Sequence, residues 1–252
     1  MSRADVQARA VYESWHERVQ RDTATADRPW HDLVFAHLGA RDLGGRDVLE
    51  IGCGRGELAC ELMTSDPPPA RLIAADFAHA AVRLGRARAG GRQLSGVTWM
   101  VADVQHIGLP DASVDTVISC ETIEHLPDPV QALREFHRVL RPGGRLLLTT
   151  PNYFGPFGLY RAYLRLRGRR YTEGDQPICR FTMLPRTLFW MWRAGLRVRR
   201  ADAAGQYLLA PGRLPWEPAI LKRLNWLLWP FGLHSLIVAE KSCKAGLKTR
   251  NY

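Results

Sequence analysis

Residues 47 to 150 alternate short apolar runs with segments of helical periodicity, and this alternation is what most limits the possible folds. The apolar runs predict five strands, namely Asp47–Ile51, Arg71–Ala75, Val97–Ala102, Val114–Ser119 and Arg145–Thr150. Strands that alternate with helices at this spacing predict a parallel sheet with helices on both faces. Such sheets bind ligands at the carboxyl ends of their strands, so the chemistry is expected there.

The helices between these strands have recognisable ends. Leu58–Met63 follows the first strand, and an Ala/Arg-rich helix is predicted to end at Gly90-Gly91. Asp128 is a predicted N-cap with Pro129 at the first helical position, and Pro142-Gly143-Gly144 is expected to end that helix. Its inner face is predicted to hold Val130, Leu133, Phe136 and Val139.

The first strand runs into a glycine-rich loop, in which Gly52, Gly54 and Gly56 alternate with other residues. Glycines so spaced let the backbone turn sharply and approach a ligand. A dinucleotide fingerprint would place its third glycine at position 57, which is Glu57 here. The observed spacing, with the acid Glu50 two residues before the first glycine, resembles motif I of the class I S-adenosylmethionine (SAM)-dependent methyltransferases.

The resemblance implies which residues bind SAM. Asp76 ends the second strand and would hold the ribose hydroxyls, and Phe77 beside it would pack on the adenine. Asp103 and the backbone NH of Val104 would bind the adenine edge. Cys120, at the end of the fourth strand, completes the predicted cofactor-binding set. Alone, Asp76 reads equally well as a helix N-cap and Asp103 as a turn residue.

The same resemblance implies the architecture. We expect an α/β, Rossmann-like, seven-stranded, mostly parallel sheet with helices on both faces and a lid insertion after the fifth strand. Residues 1–240 would form one domain, with a helical cap at 1–45 and the lid at 153–180, and residues 241–252 a basic tail. Thr182–Ala194 is a predicted helix capped by Thr182. Leu196–Arg200 and Ser235–Glu240 are the predicted sixth and seventh strands, the last antiparallel.

The loop after the fourth strand carries Glu121, Glu124 and His125. It lacks the Asn/Asp-Pro-Pro-Tyr-type motif of many amino-methyltransferases. The Glu-x-x-Glu-His pattern is instead similar to the ubiquinone-biosynthesis O-methyltransferases, which act on phenolic hydroxyls. His125 is the predicted base, because an ordinary imidazole accepts protons at neutral pH. Alternatively, the three side chains hold a divalent ion such as Mg²⁺, or Glu124 and His125 serve only to cap and pack the next helix.

Charge is divided unevenly along the chain. Residues 1–150 carry a net charge of −3, and residues 151–252 carry +13. Either the second half faces an anionic partner, or it presents a solvated basic face. Arginines and aromatics interleave in the predicted lid, from Tyr153 to Tyr171, which suits selection of an anionic or lipid-linked acceptor.

Aromatic residues are also dense between Trp216 and Phe231. Burial against the sheet is the simpler interpretation, and an interfacial membrane helix with Lys222 and Arg223 is the alternative. No run reaches the length of a membrane span, and no module that binds nucleic acid is recognised. The five cysteines show no disulfide-like spacing, which favours the reducing cytoplasm.

Together these features predict a SAM-dependent O-methyltransferase that acts on a hydroxyl of a small molecule, either a sugar, a phenol or a lipid-linked compound. The alternatives are a C- or N-methyltransferase of the same fold, a SAM-binding protein without catalysis, or an RNA methyltransferase that uses the basic half.

Overall fold

A computed structural model describes residues 3–18, 29–169, 179–207 and 217–243. Its centre is a seven-stranded sheet in the order β3-β2-β1-β4-β5-β7-β6, in which β7 runs antiparallel to both of its neighbours. The strands are β1 (Asp47–Ile51), β2 (Arg71–Asp76), β3 (Val97–Val101), β4 (Val114–Cys120), β5 (Leu140–Pro151), β6 (Leu196–Ala204) and β7 (His234–Lys241). The predicted fold class is therefore confirmed.

Helices precede the sheet and cover both of its faces. They are α1 (Arg3–Arg18), α2 (Pro29–His37), α3 (Ala40–Leu43), α4 (Glu57–Met63), α5 (His79–Gly91), α6 (Pro129–Val139), α7 (Pro156–Leu166), α8 (Leu184–Arg193), α9 (Ala219–Arg223) and α10 (Asn225–Leu228). One apolar core packs α6 and α8 against the sheet around Phe136 and Met191, and a second packs α2 and α4 around Val34 and Leu62.

Helix α6 is built as the sequence predicts. The Asp128 carboxylate accepts hydrogen bonds from the backbone amides of Val130 and Gln131, and Pro129 is the first helical residue. Leu133 and Phe136 are fully buried on its inner face, with Val139 and the partly buried Val130.

Two predictions at element ends were wrong, whereas helix α5 ends at Gly91 as predicted, and Gln93 just after it takes the left-handed conformation, with φ of 57°. Strand β5 begins at Leu140, because Pro142-Gly143-Gly144 lies inside the strand, where its register with β4 shifts. A β-bulge tolerates a proline that has no amide to donate.

The second error concerns Thr182, which does not cap α8. Its hydroxyl is buried and donates to the Pro151 carbonyl, and the helix begins at Leu184, with Met183 before it. Hydrogen bonding to β5 has taken the side chain away from the helix end. The predicted burial of the stretch from Trp216 to Phe231 holds only in part, because Trp229 packs against the core whereas Trp226 is 74% exposed and Leu227 58%.

A buried ion pair fastens the N-terminal segment to the sheet. Asp42 on α3 is 1% exposed, and both of its carboxylate oxygens accept hydrogen bonds from the guanidinium of Arg145 on β5. The Asp42 carboxylate also accepts from the Gly39 amide, and its backbone carbonyl accepts from Thr116 on β4. Helix α3 is therefore tied to two central strands.

Candidate active site

A cavity of about 340 Å³ opens at the carboxyl ends of the parallel strands, where the fold predicts a ligand site. The predicted residues that line it are Glu50, Gly52, Gly54, Asp76, Phe77, Asp103, Val104, Cys120, Glu121 and His125. The structure thus brings together residues from four strand ends. Two predicted residues, Gly56 and Glu124, do not line it.

The glycines of the first loop have different tasks. All three have positive φ, of 77°, 51° and 71° for Gly52, Gly54 and Gly56. A Cβ at Gly52 would lie 2.1 Å from the Thr122 hydroxyl, and one at Gly56 would lie 2.3 Å from the Trp99 ring. Only Gly54 has open space, with a single atom at 3.9 Å, and it faces the cavity. Gly56 therefore makes room for Trp99 rather than for a ligand.

Asp76 links this loop to the start of α5. Its Oδ2 accepts a hydrogen bond from the Gly54 amide and its Oδ1 from the Ala78 amide, both at 2.9 Å. Burial raises the pKa of Asp76, and the nearby His16 imidazole partly offsets that rise. The N-cap of α5 is Ala78, so the alternative interpretation of Asp76 as a helix N-cap was wrong. Its carboxylate anchors the backbone and also lines the cavity.

The residues that are predicted to bind adenine line the cavity, and they also make contacts within the protein. Phe77 and Val104 line the cavity, and the Arg9 guanidinium lies 4.5 Å from the centroid of the Phe77 ring. Asp103 accepts a hydrogen bond from the Gln105 amide at 2.8 Å, which also fits its alternative as a turn residue. The assignment of these residues to adenine stays a prediction.

The cavity floor has a negative bias. The carboxyl of Glu50 is fully buried, and burial, followed by the nearby Glu57 and Asp76 carboxylates, raises its pKa well above the ordinary value. One of its oxygens has no hydrogen-bond partner in the described structure. Clustered acids in a closed cavity favour a cationic ligand.

His125 stands beside a buried carboxylate. Its Nε2 lies 3.5 Å from Oε1 of Glu124, which is fully buried, and the other Glu124 oxygen accepts a hydrogen bond from the Thr150 hydroxyl at 2.9 Å. The His125 side chain is 10% exposed and lines the cavity. A buried carboxylate stabilises an adjacent imidazolium, as general-base catalysis requires.

Glu121 points elsewhere, which contradicts the predicted metal site. Its Oε2 lies 3.5 Å from Nδ1 of His234 on β7, whereas Glu124 is directed to Thr150 and His125. Among the described residues, no three His, Cys, Asp or Glu side chains form a group that could hold a metal ion. The backbone of Glu121 is left-handed, with φ of 46°.

The N-terminal helices form a wall of the cavity that the sequence did not reveal. Tyr12, Trp15 and His16 of α1 and Trp30 of α2 all line it. Burial, and next the Glu124 carboxylate, raise the pKa of Tyr12, whose buried hydroxyl has no partner in the described structure. Tyr12 and His16 are one helical turn apart, which was the available signal.

The predicted lid lies outside the cavity where it is described. No described residue of 153–180 lines the cavity, and Arg170 and Tyr171 fall outside the described residues. Arg161 stacks on the Tyr153 ring at 4.4 Å and donates to the Cys179 carbonyl. Arg180 donates to the carbonyls of Leu126 and Pro127, so it braces the loop that carries His125.

Comparison with known proteins identifies the central region. The sequence profile of a methyltransferase domain matches residues 49–148, the stretch that supplies most of the cavity. Residues 49–148 are thus similar to a methyltransferase domain, and relatives of this stretch are named as S-adenosylmethionine-dependent methyltransferases. A protein of Mycolicibacterium smegmatis named as an S-adenosylmethionine-dependent methyltransferase is 40% identical over 127 residues, which cover 48% of this chain and 44% of the relative.

A second relative bears on the chemistry of the methyltransferase domain. A Geobacter sulfurreducens protein named ubiquinone/menaquinone biosynthesis C-methyltransferase UbiE is 36% identical over 106 residues, covering 42% of this chain and 41% of that protein. The chain therefore spans less than half the length of these curated relatives. The resemblance to ubiquinone O-methyltransferases stays a prediction.

A solved structure extends the likeness in fold beyond the methyltransferase domain. A chain in a complex between the Haloferax volcanii Trm112 methyltransferase activator and a methyltransferase superposes with a TM-score of 0.69 at 21% identity. The match covers 95% of this chain and all of that one. In the described ranges, no helix is both long and apolar enough to cross a membrane.

Proposed function

We propose that the protein transfers the methyl group of SAM to a small-molecule acceptor with an acidic hydroxyl, such as a phenol or enol, and that the methyl is received by oxygen. The observation that carries this proposal is the position of His125, which lines the cavity and lies 3.5 Å from the buried Glu124 carboxylate behind it. A bound SAM supplies the reactive methyl, and the protein supplies alignment and a base.

The cavity suits SAM in size and charge. Its volume of about 340 Å³ lies within the usual range for small-ligand sites. Glu50 and Asp76 provide the negative field for a sulfonium and an ammonium, and Asp76 is positioned to accept hydrogen bonds from a ribose. Gly54, which carries no side chain and has open space above it, leaves the backbone accessible to the ligand.

Aromatic residues define the rest of the cavity. Tyr12, Trp15 and Trp30 offer flat apolar surfaces that suit a planar acceptor ring. When His125 accepts the hydroxyl proton, the buried Glu124 carboxylate stabilises the resulting imidazolium, and the acceptor becomes the stronger nucleophile.

A second candidate is methylation of carbon, which the name of the Geobacter sulfurreducens relative favours. Removing the proton from a phenol also increases the electron density on its ring carbons, so the same base would serve both reactions. The two differ in the product and not in the role of His125.

Product analysis tests the proposal. Purified protein incubated with methyl-labelled SAM and a panel of phenols, enols, sugars and amines is expected to label the phenols or enols only. NMR of the product then separates an O-methyl from a C-methyl group. Labelling of amines alone, or of RNA with strong salt dependence, would contradict the proposal, as would tight SAM binding without any product.

We also predict that the protein releases protons when SAM binds. Burial favours the protonated form of Glu50, because its pKa is raised, and a cation in the cavity favours the carboxylate. Binding of SAM should therefore release up to about one proton near neutral pH. Titration calorimetry in buffers of different ionisation enthalpy measures the number released.

The controls use the ligand and the residue. S-adenosylhomocysteine lacks the sulfonium charge, so it should release fewer protons than SAM. Glu50→Gln has nearly the same shape and no titrating group, and it should remove most of the difference between the two ligands. Equal proton release by both ligands in the wild type would exclude the proposed role of Glu50.

A further inference from the structure

Helix α7 turns an apolar stripe toward solvent. Leu159, Tyr163 and Leu166 recur at helical spacing and are 76%, 52% and 87% exposed. The inward side of the same helix holds Phe157 and the partly buried Arg161. A surface helix of a globular protein normally buries its apolar stripe, so this stripe is available for a partner.

A second exposed apolar segment adjoins the first. Trp226 and Leu227 of α10 are followed by Phe231, which is 43% exposed and stacks on Phe154 with ring centroids 5.6 Å apart. The backbones also touch, because a Cβ at Gly155 would lie 2.2 Å from the Phe231 carbonyl oxygen. We name the six exposed residues Leu159, Tyr163, Leu166, Trp226, Leu227 and Phe231 the apolar edge surface.

Exposed arginines lie next to both segments of the apolar edge surface. Arg165, Arg167 and Arg169 are exposed at the end of α7, and Arg223 is exposed at the end of α9. The sequence has no acidic residue from 153 to 169. The acid that precedes α9, Glu217, accepts a hydrogen bond from the backbone amide of Gln206. A protein partner would have to present apolar groups and acids in a pattern that matches this surface. An anionic bilayer presents apolar chains and negative charge without any such pattern.

We propose that the apolar edge surface binds the interface of an anionic lipid bilayer. Trp and Tyr side chains favour the headgroup region, and arginines beside them reach the lipid phosphates. Each basic residue near an anionic bilayer adds to the attraction. This binding is independent of methyl transfer and does not require the proposed reaction.

The position of the surface connects it with the cavity. Strand β7 begins at His234, which pairs with Pro151 at the end of β5, and the apolar edge surface flanks these two strand ends. The cavity opens at the same edge of the sheet. A bilayer bound here faces the edge at which an acceptor enters.

The chain also offers a matched control surface. Trp192 on α8 is 72% exposed and stacks on Phe189, which is 52% exposed. It lies just before β6 begins at Leu196, which pairs with Lys241 at the end of β7, and so at the opposite edge of the sheet. Trp192 and Trp226 are therefore equally exposed aromatic residues on opposite edges.

Vesicle flotation tests the proposal with the full chain. We expect binding to phosphatidylcholine vesicles that contain phosphatidylglycerol and little binding to phosphatidylcholine alone. The double variant Trp226→Ser with Leu166→Ser should lower the partition coefficient about tenfold or more. Each single change of Arg165, Arg167 or Arg169 to Gln should lower the partition coefficient about fivefold at low salt. Trp192→Ser should bind as the wild type does.

The outcomes are distinguishable. Because all of the changed side chains are exposed, each variant should keep the wild-type Tm and SAM affinity, which verifies folding. Absence of wild-type binding to anionic vesicles, or equal binding by the Trp226/Leu166 variant, would overturn the proposal. It would also be overturned if Trp192→Ser alone abolished binding, or if the wild type were a dimer that the Trp226/Leu166 change converts to monomer without any vesicle binding.

Discussion

Replacing His125 by alanine is expected to lower kcat by about 10²–10⁴-fold, the usual contribution of a positioned base. The side chain lines the cavity beside the buried Glu124, and the proposal has no other group accept the hydroxyl proton. SAM affinity should change little, because the predicted cofactor contacts come from the ends of β1, β2 and β3. Single-turnover kinetics and calorimetry measure the two quantities separately.

Glu124→Gln is the matched variant for the His125 prediction. It keeps the shape of the side chain and an oxygen for the Thr150 hydroxyl, and it removes the charge that stabilises the imidazolium. We expect a lower kcat and an acidic limb of the pH–rate profile that moves to lower pH, since protonated His125 loses its partner. A His125→Ala protein with near-normal kcat would exclude His125 as the base, and catalysis would then rest on the alignment of SAM and acceptor alone.

Replacing Asp42 by alanine is expected to lower the free energy of unfolding by about 3–5 kcal/mol, because it leaves the Arg145 guanidinium buried without its partner. For a chain of this size the Tm should fall by roughly 6–20 °C. Urea unfolding followed by circular dichroism measures the change, provided that the transition is two-state.

The double variant Asp42→Leu with Arg145→Met separates the two causes of this loss. If the cost comes from an uncompensated buried charge, two apolar residues of similar size should recover much of the stability. If the double variant is as unstable as Asp42→Ala, the hydrogen bonds of Asp42 to α3 are what stabilises the fold. The charge explanation would then be incorrect.

The sheet and the glycine loop were predictable because their signals are local. Apolar runs followed by glycine or acid specify β1 to β4, and the alternation of Gly52, Gly54 and Gly56 specifies the turn. The same local signals placed the end of α5 at Gly90-Gly91, although Gln93, and not a glycine, takes the left-handed conformation just after it.

The composition of the site was harder to predict, because it depends on contacts between distant segments. Tyr12 and His16 reach the cavity through the packing of α1 against α5, where the Glu13 carboxylate accepts hydrogen bonds from the amides of His79 and Ala80, and no local pattern encodes this contact. Glu121 and Glu124 lie three residues apart, yet Glu121 lies beside His234, more than one hundred residues away, whereas Glu124 is paired with Thr150. Among the described residues, the metal site that sequence proximity suggested is not assembled.

Gly52 has a consequence for anyone who redesigns the acceptor specificity of this protein. The space that its missing Cβ would fill is taken by the Thr122 hydroxyl, which also donates to the Cys120 carbonyl at 2.8 Å. The glycine loop, which contains Gly52, Gly54 and Gly56, and the loop of His125 are thus interlocked, and neither can be exchanged as a separate module. A graft of residues 121–127 from a relative has to bring a side chain at 122 that fits against a bare backbone, or carry the relative's glycine loop with it.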